Sequence, residues 1–120
     1  MTANPFVILY VEDDDFIRES FAEFLATAER RIVSVADGSS ARKALREQTV
    51  DLLITDIKLP DCSGLDVARE ALQQNPTLPV VICSGYESRD IIGSLGPTVH
   101  RLVKPVEVDR LVALVARLAG

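Results

Sequence analysis

Cysteine is scarce in this chain, with only Cys62 and Cys83 among 120 residues. Two cysteines give no disulfide framework and no thiolate metal spacing. Cys83 lies in an apolar run and reads as a small core residue. Cys62 lies in a loop, and nothing in its sequence setting marks it as an activated thiol. The single histidine, His100, reads as a strand-face residue rather than a phosphocarrier or metal ligand. An excess of basic residues is also missing. Thirteen lysines and arginines face eighteen acidic residues, for a net charge of −5. That balance argues against a nucleic-acid surface, which needs a basic patch to neutralise phosphates. No apolar run is long enough to cross a bilayer. The opening residues Met1 to Pro5 lack the basic start and apolar core of a signal peptide. The expectation is a cytoplasmic chain without nucleic-acid or membrane contacts. No repeat, linker or low-complexity segment divides it, so residues 1–120 are read as one domain.

Apolar residues are plentiful, at 48% of the chain, which is ample for a core. They fall in five short runs, 6–11, 32–36, 51–55, 79–83 and 99–103, which alternate with five amphipathic stretches. Short, β-branched, unalternated runs predict strands buried on both faces of a parallel sheet. Between the first two, Ile17, Phe21, Phe24, Leu25 and Ala28 repeat at helical spacing, behind Asp14 or Asp15 as cap. Asp37-Gly38-Ser39-Ser40 opens a second helix carrying Ala41, Ala44 and Leu45. Pro60 to Gly64 precedes a third, with Leu65, Ala68 and Leu72 on one face, stopped at Asn75-Pro76. A short fourth helix is predicted from about Ser88 to Leu95, closed by Gly96-Pro97, and a fifth follows Pro105 with Leu111, Leu114, Val115 and Leu118 inward. Alternating strand and helix implies an α/β fold: a five-stranded parallel sheet flanked by five helices, joined by right-handed crossovers.

The residues that follow each strand carry the chemistry. Glu12, Asp13 and Asp14 follow the first, Asp56 the third, Ser84 the fourth and Lys104 the fifth, just before Pro105. In a flavodoxin-like strand order of 2-1-3-4-5 the connections reverse between strands one and three, and a binding crevice opens there. Both acid clusters flank that crevice. Gathered anions repel unless a cation joins them, and a hard divalent ion suits carboxylates. Carboxylates for a metal, one further carboxylate, a hydroxyl donor and a fixed ammonium together suit phosphoryl transfer to an aspartate nucleophile.

Four segments carry a resemblance. They are Ile8 to Asp14 (ILYVEDD), Leu53 to Gly64 (LITDIKLPDCSG), Ile82 to Gly85 (ICSG) and Val103 to Pro105 (VKP). In this order and spacing the chain resembles the receiver domains of bacterial two-component response regulators over essentially its whole length. The resemblance implies a phosphoacceptor that catalyses its own phosphorylation and dephosphorylation, rather than a turnover enzyme. It implies Asp56 as the phosphoacceptor, with a histidine kinase or phosphotransfer protein as donor. Asp13 would bind Mg²⁺ directly, Glu12 through water, and Asp56 and the backbone carbonyl of Lys58 would complete the protein's ligands. Ser84 matches the switch hydroxyl, Lys104 the phosphoryl-pairing cation, and the Lys104–Pro105 peptide is expected to be cis. The partner downstream is an unidentified protein, and a homodimer through the face of helix four, strand five and helix five is a further expectation.

The pattern also departs from the family. Arg101 stands where an aromatic residue usually provides the second half of the switch. An arginine cannot enter an apolar pocket without leaving its charge unsolvated. Tyr86 is an aromatic nearby that could take that part. The segment from Ser84 to Lys104 is short and holds Gly93, Gly96 and Pro97, which weakens a fourth helix. These departures leave an alternative: an atypical receiver that acts as a protein-interaction module with weak or no phosphorylation-dependent switching. A metal-dependent phosphatase fits less well, since its nucleophile sits in an Asp-x-Asp pair after the first strand. A flavodoxin-type cofactor site lacks its hydroxyl- and glycine-rich loop.

Overall fold

The structure is a computed structural model in which residues 5–85 and 89–119 are described. Five strands and five helices alternate: β1 (Phe6–Val11), α1 (Asp15–Leu25), β2 (Arg30–Val35), α2 (Gly38–Glu47), β3 (Leu52–Asp56), α3 (Gly64–Gln74), β4 (Val80–Ser84), α4 (Arg89–Gly93), β5 (Val99–Val103) and α5 (Val108–Ala119). All strand pairs are parallel, in the order β2-β1-β3-β4-β5. Fold class and element sequence therefore match the expectation from hydropathy, and the strand order matches the flavodoxin-like order expected for the sheet. Strand limits differ by at most two residues, because β2 begins at Arg30, where Thr27 forms an isolated bridge.

Burial explains why the strands lack alternation. Every residue of β3 and β4 is buried, as are the last four of β1. Period-two geometry then sends successive side chains to opposite faces. Leu9, Val11, Leu53, Val80 and Ile82 pack with Ala41 and Ala44 of α2, Val67, Ala68 and Ala71 of α3 and Ile92 of α4. Ile8, Tyr10, Leu52, Ile54, Val81 and Cys83 pack with Leu25 of α1 and Leu111 and Val115 of α5. Small residues on α2 and α3 let those helices lie close to the sheet.

The helix starts follow the capping rule. Asp14 accepts from Ile17 N at 2.9 Å, Asp37 from Ser40 N at 2.7 Å, and Ser63 from Leu65 N at 3.1 Å. Asn75 caps the end of α3, where the sequence places its stop. Two expectations for α1 need correction. The helix ends at Leu25, so Ala28 lies beyond it, and Phe24 is 60% exposed. Phe24 has the right spacing to reach the sheet, but Leu25 takes the buried position. Near the expected fourth helix, α4 covers five of the described residues, and Gly96 after it has φ +129°, a conformation that favours glycine. The start expected at Ser88 lies outside the described residues, as does Tyr86.

Leu53 is fully buried at the sheet centre. Leu53→Ala is expected to cost about 2–5 kcal/mol, read from the urea midpoint at constant m-value.

Candidate functional site

Parallel strands end on one rim, and β1, β3, β4 and β5 deliver their terminal residues there. Glu12 and Asp13 follow β1, while Asp56 is the last residue of β3. Carboxylate oxygens of Glu12, Asp13 and Asp56 all lie within 4.8 Å of one another, an arrangement that can hold a metal ion. Asp56 is 7% exposed and Glu12 9%, whereas Asp13 is open to solvent. From the far side, Lys104 Nζ donates to Asp56 Oδ2 at 2.5 Å. The Lys104–Pro105 peptide is cis, as expected. Ser84 is buried at the end of β4, one residue past Cys83, the register partner of Asp56. Its Oγ donates to the Gly85 carbonyl at 3.2 Å rather than to a carboxylate. Lys58, two residues beyond Asp56, is exposed and bridged to Ser63.

The electrostatics follow from this crowding. Burial pushes the Glu12 carboxyl above its ordinary value, and the nearby Asp56 adds to the shift. The Asp14 backbone N–H, which donates to Glu12 Oε2 at 3.1 Å, opposes it. Burial pulls against the Lys104 charge, yet the hydrogen bond and charge of Asp56 outweigh it, so the ammonium holds its proton more firmly than usual. Burial raises the Cys83 thiol to about 12, which makes it an inert core group, as its sequence context suggested. Burial also raises the Cys62 thiol.

The contacts of several supporting residues were not legible in the sequence. Gly64 N donates to the Ile57 carbonyl at 2.6 Å, and a Cβ on Gly64 would lie 1.8 Å from the Asp56 carbonyl oxygen. Only glycine lets the loop from β3 to α3 fold back so closely. Thr55 Oγ1 donates to the Asp56 carbonyl at 2.8 Å. Asp61 reaches across to the start of α2, accepting from Gly38 N at 2.8 Å and Ser39 N at 2.9 Å. Those two amides hold its carboxyl below the usual range. Arg18 of α1 donates to the Glu12 carbonyl at 2.9 Å. Gly64 closes the quoted segment Leu53 to Gly64, but the partners of Asp61 and Arg18 are set by tertiary packing alone.

Arg101 is half-buried on β5 and shares a groove with Arg110 and Arg117 of α5. That position holds a cation rather than an aromatic ring, as the sequence states.

A rim of clustered carboxylates answered by a lysine, on a doubly wound parallel sheet, defines a class of acidic-pocket α/β domain. Solved structures share the architecture. The chemotaxis response regulator CheY4 of Vibrio cholerae superposes with a TM-score of 0.84 at 22% identity, covering 96% of this chain and 99% of that one. The receiver domain of NtrX from Brucella abortus gives 0.78 at 30% identity, covering 92% and 96%. Among sequence relatives, the probable transcriptional regulatory protein TcrX of Mycobacterium tuberculosis is 32% identical across 91% of this chain and 47% of its own length. The DNA-binding transcriptional regulator NtrC of Escherichia coli is 32% identical across 92% of this chain and 24% of its own length. The chain thus spans between about a quarter and a half of these two relatives. The family described as response regulator receiver domain matches residues 8–116. The chain belongs to that family.

Two outcomes are expected. In metal-free buffer at pH 7, Glu12→Gln raises the thermal midpoint, because it removes one of three mutually repelling carboxylates. Because the folded-state pKa of Glu12 is raised, its ionisation penalty is complete above that pKa, so the gain shrinks as pH falls through it and is gone below the ordinary value of 4.5. Gly64→Ala lowers the midpoint, since the added carbon meets backbone and not a movable side chain. Differential scanning calorimetry across pH checks both.

Proposed function

We propose that residues 1–120 form one phosphoacceptor receiver domain of a two-component system, with Asp56 as the residue that takes the phosphoryl group from a histidine kinase or phosphotransfer protein. The observation that carries this reading is the Lys104–Asp56 contact beside the cluster of Glu12, Asp13 and Asp56. Three carboxylates and one ammonium leave the pocket short of positive charge. An all-oxygen donor set of this kind fits Mg²⁺. Asp13 would ligate the ion directly, Glu12 through water, and Asp56 and the Lys58 carbonyl would complete the protein's share. When bound, Mg²⁺ supplies charge neutralisation for the phosphoryl oxygens.

The chain's own residues do the rest. One Asp56 oxygen attacks phosphorus as the donor's phosphohistidine N–P bond breaks and its electron pair returns to the imidazole, while Lys104 shifts its hydrogen bond from the carboxylate to a phosphoryl oxygen. Asp56 enters the reaction in a fixed orientation because Thr55 holds its carbonyl and Lys104 its carboxylate, while Gly64 ties down the next residue, Ile57. Ser84 follows Cys83, the register partner of Asp56, and its hydroxyl would turn from the Gly85 carbonyl toward the new group. That turn would bias the loop after β4 and the face of β5. The domain works in the cytoplasm and passes the signal to a protein rather than to nucleic acid. No helix among the described residues is long and apolar enough to cross a membrane. A homodimer through α4, β5 and α5 is one form the output could take.

Two observations favour a second reading, an interaction module without phosphorylation-dependent switching: Arg101 on β5 and the five-residue α4. Intact-mass measurement separates the two. With Mg²⁺ and acetyl phosphate the chain is expected to gain the mass of one phosphoryl group, and neither Asp56→Asn nor chelation of the metal leaves the adduct. Absence of an adduct on the unaltered chain, under conditions that label another receiver, favours the second reading. Capture of protein partners with and without beryllofluoride then reads switching directly.

A further inference from the structure

Next to the carboxylates lies a cavity of about 570 Å³, within the range that small-molecule sites occupy. It runs between α1 and α5 on the sheet face built by Tyr10 and Cys83. Its walls come from Ile17 and Phe21 of α1, Pro105 and Val106 after β5, and Leu111 of α5. Glu12, Asp56 and Lys104 also line it, at the rim where β1, β3 and β5 end. The space is therefore two-sided: one charged end where a phosphoryl group would meet Asp56 and Lys104, and an apolar body continuous with it. Phosphoryl transfer to Asp56 uses only the charged end. Water filling the remainder would lie against aliphatic and aromatic walls and gain few hydrogen bonds, so an apolar group displaces it favourably.

We propose that this cavity is a leaving-group subsite, which makes aryl acyl phosphates better phosphodonors for this chain than short-chain ones. The inference rests on the phosphoacceptor role of Asp56. Charge complementarity sets the orientation. The phosphoryl oxygens face Lys104, and the aryl ring lies between Ile17, Phe21 and Val106. In the transfer, a bond forms between an Asp56 carboxylate oxygen and phosphorus as the donor's bridging P–O bond breaks. The electron pair of that bond leaves with the arenecarboxylate, and no oxidant, reductant or added proton is needed.

Benzoyl phosphate and acetyl phosphate are compared as donors on the intact chain with Mg²⁺, by rate of mass shift. Benzylphosphonate and methylphosphonate, which cannot transfer, are compared by calorimetric titration with and without Mg²⁺. The aryl member of each pair is expected to lead by about tenfold, the scale of burying one ring. Ile17→Trp, a change at a partly exposed helical position, narrows the cavity and should bring both ratios close to one. Labelling by both donors at equal rates, with level phosphonate affinities, overturns the subsite and leaves the phosphoacceptor reading intact. An aryl preference among phosphonates with no labelling by either donor overturns the phosphoacceptor reading, and the transfer step falls with it.

Discussion

Mutual repulsion among Glu12, Asp13 and Asp56 is the constraint around which the rest of the molecule is arranged. Two of these carboxylates are almost removed from water, where like charges cost most. A fold gains nothing from such a cluster by itself. The sheet imposes it, because β1 and β3 are neighbours and parallel, so their terminal acids arrive side by side. Lys104, brought from β5 two strands away, answers part of the charge. Everything else near the rim either fixes these groups or keeps them within reach of one another.

The loop between β3 and α3 shows how that fixing is done. It returns tightly on itself through the Gly64–Ile57 and Leu59–Cys62 backbone bonds. Thr55 ties its own hydroxyl to the Asp56 carbonyl. These contacts are short-range and rigid, so the nucleophile's backbone is held by hydrogen bonds that do not compete for its carboxylate. The carboxylate itself is left to the ammonium and to whatever cation the neighbours gather. Similar division of labour holds at Glu12, whose carbonyl is gripped by Arg18 and whose side chain is met by the Asp14 amide.

Strand positions and the identity of the rim acids were legible in the sequence because both depend on local pattern. An apolar run ending in a carboxylate marks a buried strand and its terminus together, and this held at β1 and β3. Capping was legible for the same reason, at Asp14 and Asp37. Phe24 shows where pattern fails. Helical spacing allowed it inward, yet α1 turns Leu25 to the sheet and leaves the ring exposed. The resting partner of Ser84 was equally hidden, since a hydroxyl's choice of acceptor depends on loop geometry. So was the apolar cavity, which exists only once α1 and α5 are placed on the same face.

Asp61 has a bearing on how this domain can be rebuilt. Its carboxylate adds to the Asp37 cap of α2 by accepting from two further amides, and it does so from the loop that carries Lys58. Transplanting that loop from another receiver into this scaffold therefore transplants half of a helix terminus as well. A graft lacking an acid at residue 61 would strand two amides on α2, and the mismatch would surface far from the stretch that was exchanged.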